Sequence, residues 1–300
     1  MSVKLQWSFT ACYPKIKGSS VLSTSSVTDY VRLISNLQRF PEPLEVVWVR
    51  FPLSIVLLEI TLQAQPKGEV LPINSFNQEI GAPLPHHQAG SLPTVDVLQG
   101  KTVRLEKLRP DHADAIYQFY GPTAKQADWT YLSIDSFKDY TSFQSYFQHM
   151  SDSVDPCYLA IIDQSTNQAI GTFALMRIDS KNRVIEVGWV LFSPKLQKTR
   201  QATEAHYLLM SYIFENLGYR RYEWKCDHLN GPSRRAALRL GFTYEGTFRQ
   251  ASVYKERNRD TDWFSILDKE WDSRKQRLES WLEDANFDKN GQQKQSLSTF

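Results

Sequence analysis

The sequence predicts an α+β protein: a central mixed sheet with helices on both faces, three layers deep. Three observations predict it. A strand, a polar turn and an amphipathic helix follow one another between Arg183 and Gly218. Hairpin signals join neighbouring strand patterns on either side of that stretch. The full order of elements reads β-α-α-β-β-β-α-β-α-β-β, which needs helices on both faces of one sheet.

The elements follow in chain order. Residues 1–69 show no persistent helix or strand period, and 19–26 is serine-rich. Pro72, Pro83, Pro85 and Pro93 make residues 72–100 an extended, proline-stiffened lead-in. Lys101 to Leu108 is a strand in which Val103 and Leu105 alternate with Arg104 and Glu106. Asp111 is placed to cap a helix running to Tyr120, with Ala115, Ile116 and Phe119 inward. Asp128 to Tyr131 is an aromatic loop. Ser136 is placed to cap a second helix to about Met150, exposing Lys138 and Asp139 and burying Phe137, Tyr140, Phe143 and Phe147.

Cys157 to Asp163 and Ala169 to Ile178 form a hairpin about Gln164-Ser165-Thr166-Asn167. Val184 to Phe192 is a β-branched and aromatic run, as a buried strand should be, and Ser193-Pro194 ends it. Val184, Glu186, Gly188 and Val190 share one face of this strand; Ile185, Val187 and Trp189 share the other. The polar residues Lys195, Gln197, Lys198, Thr199, Arg200 and Gln201 come next. Ala205, Leu208, Leu209, Tyr212, Ile213 and Leu217 then form one helical stripe, and Gly218 suits the left-handed position past its end. A helix start following a strand, with lysines and an arginine about it, makes an anion site, most naturally for phosphate. Neither GxGxxG nor GxxxxGK[ST] is present, which excludes the Rossmann and P-loop forms of such a site. Arg221 to Asp227 is a strand, and Pro232 opens a helix that ends before Gly241. Thr243 to Tyr254 and Thr261 to Leu267 form a hairpin about Arg257-Asn258-Arg259-Asp260. Glu270 to Leu282 is a closing helix with Trp271, Leu278, Trp281 and Leu282 inward, and the polar residues 284–300 are expected to be disordered.

Composition narrows the function. The 300 residues are 41% hydrophobic and 13% aromatic, enough for a sizeable core. The net charge of +2 lies wholly in residues 1–69, so the remainder balances to zero, which argues against a nucleic-acid surface. Three cysteines without paired spacing suit a reducing compartment. Cys226 and His228 lack a second pair with ligand spacing, so no metal is expected. The first twenty residues have no secretory core, and the most apolar run, 46–62, holds Arg50, Pro52 and Glu59 and falls short of the ~20 residues a span needs. These features predict a cytoplasmic protein without a membrane partner.

Gln197-Lys198-Thr199-Arg200-Gln201-Ala202 after a strand resembles the [QR]-x-x-G-x-[GA] turn of GNAT N-acetyltransferases. Asn230-Gly231-Pro232-Ser233 and Leu240-Gly241-Phe242 are similar to that family's N-x-x-S and (K/R)LGF. Asp260 to Ser265 resembles the last strand of the ribosomal-protein N-terminal acetyltransferase (Rim-like) branch. The resemblance covers about 74–271 and implies the GNAT fold, with a mostly antiparallel sheet, and acetyl-CoA as co-substrate. The element order sets the expected domain at 101–283. The resemblance assigns the pyrophosphate of coenzyme A to Gln197, Lys198, Thr199, Arg200, Gln201 and Ala202, pantetheine and oxyanion contacts to the backbone of Val190, Leu191 and Phe192, and further coenzyme contacts to Asn230 and Ser233. Asn230 and Ser233 can equally cap a helix. Arg200 departs from the pattern, standing where the family usually has its first glycine. The helix before Leu240-Gly241-Phe242 holds no tyrosine, so the family's frequent general acid does not come from there.

Acetyl transfer to an amine needs a neutral amine, a donor for the developing oxyanion and a route for the thiolate. An α-amine titrates near ~7.7–8.0 and a lysine near ~10.4, so the first asks less of a base. Glu186, a carboxylate within an apolar strand, is the candidate base, with an ion pair to an arginine as its structural alternative. Trp129, Tyr131 and Trp189 are candidates to line the acceptor site, or else core. The expected reaction is acetyl transfer to a primary amine, first a protein N-terminal α-amine. A small-molecule amine (amino acid, antibiotic or polyamine) and a catalytically idle acyl-CoA-binding module are the alternatives. A monomer or homodimer is expected, without nucleic acid.

Residues 1–71 are expected to lie outside the functional fold. Lys67-Gly68-Glu69 can be encoded by a purine run resembling a bacterial ribosome-binding site, and Val70 or Leu71 by an alternative start codon. An upstream start chosen in error would explain the segment.

Overall fold

A computed structural model describes residues 71–300 and, before them, strands β1 (Ser2–Gln6), β2 (Glu45–Arg50) and β3 (Val56–Thr61). These three pair antiparallel in the order β1-β3-β2, where the sequence shows no sustained period. The apolar run 46–62 supplies two of them. The rest of residues 1–70 lies outside the described residues, Val70 of the two expected starts among them. The chain divides into two units, 1–85 and 86–300.

The second unit holds eight strands: β4 (Val97–Gln99), β5 (Val103–Lys107), β6 (Cys157–Asp163), β7 (Gln168–Asp179), β8 (Val184–Phe192), β9 (Arg221–Asp227), β10 (Thr243–Tyr254) and β11 (Arg257–Leu267). Their order in the sheet is β10-β11-β9-β8-β7-β6-β5-β4. Every neighbouring pair is antiparallel except β8 with β9, which are parallel. Helices α1 (Ala113–Tyr120) and α2 (Tyr140–Asp152) cover one face through Ile116, Phe119, Phe143 and Phe147. Helices α3 (Arg200–Ser211), α4 (Gly231–Leu240) and α5 (Asp268–Leu282) cover the other through Leu209, Leu240, Trp271 and Leu278. This is the three-layer mixed sheet the element order predicts, and burial of such apolar side chains, about 1.5–3 kcal/mol each, holds the layers together.

The differences from expectation have local causes. Helix α2 begins at Tyr140, not near Ser136, because the Asp139 carboxylate accepts from the Ser142 amide at 2.8 Å and caps it. Asp111 lies inside a 3-10 turn, Pro110–His112, that leads into α1, and so does not cap that helix. The last hairpin turns on two residues, Lys255 and Glu256, with φ of 48° and 58°, so Arg257 to Asp260 is strand rather than loop. The lead-in carries a strand, β4, that its prolines do not announce.

Residues 284–300 are ordered, against the disorder their polarity suggests. Their polar groups satisfy one another and the end of α5. Asn286 Nδ2 donates to the carbonyls of Trp281 at 3.0 Å and Gln295 at 3.2 Å, and its Oδ1 accepts from the Gln295 amide at 2.9 Å. Trp281 Nε1 donates to the Gln295 carbonyl at 3.1 Å, and Leu297 is fully buried.

A bulge breaks the alternation of β8. Gly188 faces Ala174 and Leu191 faces Thr172, so three steps on β8 match two on β7. Trp189 takes a φ of 49° at this point. Val190 and Phe192 therefore pack on the α3 side with Ile185 and Val187, while Trp189 and Leu191 pack on the α1–α2 side. The simple alternation placed Trp189 and Val190 on the opposite faces.

Candidate functional site

The parallel pairing of β8 and β9 is short. It runs from Val184 opposite Arg221 to Val187 opposite Trp224 and stops there. Both strands continue, β8 to Phe192 held by β7 and β9 to Asp227 held by β11. From Gly188 and Lys225 onward the two strands therefore present edges that are not paired to each other. Such edges offer N–H and C=O groups to an extended chain carrying amides.

The turn after β8 runs across the end of this gap. The amides of Leu196 and Gln197 donate to the Ser193 carbonyl, at 3.0 and 3.2 Å. Thr199 caps α3: its Oγ1 accepts from the Ala202 amide at 3.2 Å and donates to the Leu196 carbonyl at 2.7 Å. Lys198 adopts a φ of 61°. Among the described residues, the amides of Arg200 and Gln201 have no acceptor, as the start of a helix dictates. The predicted residues divide here. Gln197 Nε2 donates to Asp128 Oδ2 at 2.8 Å and to the Phe192 carbonyl at 3.1 Å, bracing the turn. Gln201 Nε2 turns to Asp163 Oδ1 at 3.2 Å. Arg200 turns away from the turn, to Asp284 Oδ1 at 2.8 Å. Lys195 and Lys198 stay exposed, without an ion pair among the described residues.

Asn230 and Ser233 stand where β9 gives way to α4. Asn230 Oδ1 accepts from the Ser233 amide at 3.1 Å, the capping alternative, and Ser233 Oγ accepts from Trp224 Nε1 at 3.0 Å. His206 of α3 lies beside them, its ring 5.3 Å from that of Trp224, 5.8 Å from Phe192 and 4.8 Å from Phe173. Burial above all, and the charge of Arg239, push its imidazole down to about 3, so it is neutral. Its Nδ1 is buried without a partner.

Glu186 lies on the opposite face of the sheet, 4% exposed. Burial raises its carboxyl above the ordinary value, while Lys225 and Arg177 pull it back. Lys225 Nζ stands 2.9 Å from Glu186 Oε2 and Arg177 Nε 3.0 Å. Oε2 has no partner of full hydrogen-bond geometry, so these contacts are ion pairs. Lys225 also pairs with Glu223 at 2.8 Å and sits 3.6 Å over the Trp263 ring. Sequence reasoning missed Lys225 and Arg177. Arg221, Glu223, Lys225 and Asp227 stand at every second position of β9, a charged face the spacing could have revealed.

The aromatic candidates do not converge. Trp129 is core, 2% exposed and edge-on to Tyr120, with its Nε1 buried and unpartnered. Tyr131 is half-buried, and the bulge brings Trp189 onto the Glu186 face, near Tyr158. The tip of the last hairpin is tied across this face: Lys255 Nζ donates to the Trp129 carbonyl at 2.9 Å, Arg257 Nη2 to that of Thr130 at 2.7 Å, and Tyr254 Oη to Asp227 Oδ2 at 2.7 Å. A cavity of about 90 Å³ lies between Asp128, Trp129 and Phe192. A cleft of about 740 Å³ runs along α1 past Arg109, Ser193 and Lys195. His228 Nδ1 pairs with Asp262 at 2.9 Å and Arg234 Nε with the same carboxylate at 2.6 Å, so neither side chain is free. Among the described residues, no three side chains are grouped to hold a metal ion, and no helix is long and apolar enough to cross a membrane.

Similarities to known proteins identify the family. Residues 102–243 match the family model of the acetyltransferase (GNAT) domain. An uncharacterised N-acetyltransferase of Bacillus licheniformis, p20, is 28% identical over 180 residues, which are 59% of this chain and 99% of that one. The crystal structure of a GCN5-related N-acetyltransferase from Brucella melitensis is 42% identical with a TM-score of 0.70, over 72% of this chain and 98% of the other. A probable acetyltransferase (GNAT family) from Chromobacterium violaceum ATCC 12472 is 36% identical with a TM-score of 0.61, over 65% and 98%.

Proposed function

The chain belongs to the GNAT family and is an N-acetyltransferase, and from that premise we propose that it moves an acetyl group from acetyl-CoA to a protein N-terminal α-amine. The observation that carries the coenzyme reading is the opening between β8 and β9, with the start of α3 at its end. The residues fit the group. The free amides of Arg200 and Gln201, with Lys195 and Lys198 nearby, suit a pyrophosphate. The free edge of Gly188 to Phe192 suits the amides of pantetheine, and one of its N–H groups suits a developing oxyanion, usually worth about 2.7–4 kcal/mol. Acetyl-CoA supplies the acetyl group as a thioester.

Glu186 takes the proton of the attacking amine, through water, on the face opposite α3. Its raised carboxyl remains far weaker a base than a lysine amine needs, and suits an α-amine better. Lys225 and Arg177 favour its ionised form, against the larger effect of burial. The same two cations support a second reading, in which Glu186 is only an ion-pair anchor. Acceptors of the small-molecule class remain the runner-up.

An acceptor screen following free thiol release tests the reading. Peptides with free N-termini should raise release above background hydrolysis, and the same peptides with blocked N-termini should not. Release driven only by polyamines, amino acids or aminoglycosides would transfer the assignment to small amines.

A further inference from the structure

Arg200 begins α3, where the resembling turn carries glycine. A cation there meets the positive end of the helix dipole, which is unfavourable. The structure draws its side chain sideways into the segment that follows α5. Arg200 Nη2 donates to the carbonyl of Leu282 and pairs with Asp284 Oδ1 at 2.8 Å. The guanidinium carbon lies 4.4 Å from the centre of the Phe287 ring. Asp284 is also held by Lys101, just before β5. Three groups from one short segment thus converge on an arginine that is 18% exposed. Asp284 is correspondingly held below the ordinary carboxylate range by Lys101 and Arg200.

We propose that Leu282 to Phe287 is a positioning element of the coenzyme A site, which holds Arg200 clear of the first turn of α3. The amides of Arg200 and Gln201 then stay open to a pyrophosphate, as they would be with glycine in that place. The inference rests on the acetyl-CoA reading above. Without the segment, the arginine regains its rotamer freedom and sweeps the space in front of those amides, and the first turn loses its tie to α5. Asp284 and Phe287 act through Arg200, so their influence should vanish when Arg200 is absent.

Calorimetry with acetyl-CoA tests this on the full chain carrying Asp284→Ala, Phe287→Ala, Arg200→Gly, and each of the first two combined with Arg200→Gly. Asp284→Ala and Phe287→Ala should each weaken acetyl-CoA binding about tenfold, or about 1.4 kcal/mol. They should raise KM for acetyl-CoA and leave kcat at saturation unchanged. Arg200→Gly should bind within about threefold of the parent, and adding either second change to it should do nothing more. Asp284→Asn supplies a milder variant if Phe287→Ala fails to fold. Unchanged or tighter binding in Asp284→Ala overturns the proposal, as does a large loss in Arg200→Gly alone, which would make the arginine a direct phosphate ligand. A parent that does not bind acetyl-CoA overturns the coenzyme reading itself, and this inference with it.

Discussion

His206 should make the protein acid-labile, and replacing it should remove a defined part of that lability. The unfolded imidazole titrates at its ordinary value, near ~6.5, whereas the folded one is held at about 3. Between these values the unfolded chain binds one proton more than the folded chain. Stability therefore rises with pH, is fully present above the unfolded value, and is lost as pH falls towards the folded one. Integrated from about pH 7 to about pH 5, this one residue costs about 2 kcal/mol. The perturbation is His206→Leu, which fills similar space among Phe173, Phe192 and Trp224 and removes the unpartnered Nδ1. Urea unfolding of parent and variant at both pH values measures it. The parent should lose about 2 kcal/mol more than the variant between the two. His112, also pushed down chiefly by burial, contributes in the same direction, but is common to both proteins and cancels. Equal losses would refute the argument, since the folded imidazole would then be taking up its proton freely.

Three further outcomes follow from the site. Glu186→Gln should cut turnover by about 10²–10⁴, leave acetyl-CoA binding unaltered and abolish the acid limb of the pH–rate profile. In the parent that limb should fall as pH drops through a value above the ordinary carboxylate range, and an unaltered rate and profile would assign Glu186 to structure. Lys225→Met leaves Glu186 to Arg177 and Glu223 to Arg221, without their shared cation, and should cost about 1–3 kcal/mol in urea unfolding. A loss near zero would mean that water already screens the group. Gly188→Ala would set a Cβ 2.3 Å from Met176 Sδ. It should destabilise by about 1–3 kcal/mol, with recovery on adding Met176→Ala; a neutral Gly188→Ala would show that the methionine simply moves aside.

How much of this was legible depended on whether the pattern was local. Cys157–Asp163 and Val184–Phe192 were readable to the residue because apolar or β-branched runs end in polar or proline stops, and Arg221–Asp227 because Tyr222, Trp224 and Cys226 alternate with charged residues. The turn after β8 and the start of its helix were readable from the polar run after Pro194 and the helical stripe that follows, and Gly218 does take a left-handed φ of 64°. Long-range choices were not. Nothing in the sequence near Arg200 says that its guanidinium will find Asp284, more than eighty residues on. The bulge at Trp189 is a misfit between two strands, so no count along β8 alone could reveal that the faces exchange there. Trp129 suits a core more readily than a cleft, and its burial against the ring of Tyr120 decides for the core. The closing segment misled for a different reason: polar composition signals disorder only where the polar groups lack one another as partners, and Asn286 and Gln295 do not.

The short seam between β8 and β9 also shapes how the molecule holds together. Strands β4 to β8 form one leaf and β9 to β11 another, and the backbone stitches them over a short stretch, Val184–Val187 with Arg221–Trp224 and the Arg183 carbonyl with the amides of Arg220 and Arg221. A book bound along so little of its spine opens from the far edge, and the pages part where Gly188 and Lys225 face each other. A molecule that bonds to both free edges there lengthens the binding. Occupancy should therefore raise the stability of the sheet, because its two leaves would then be joined along a longer line.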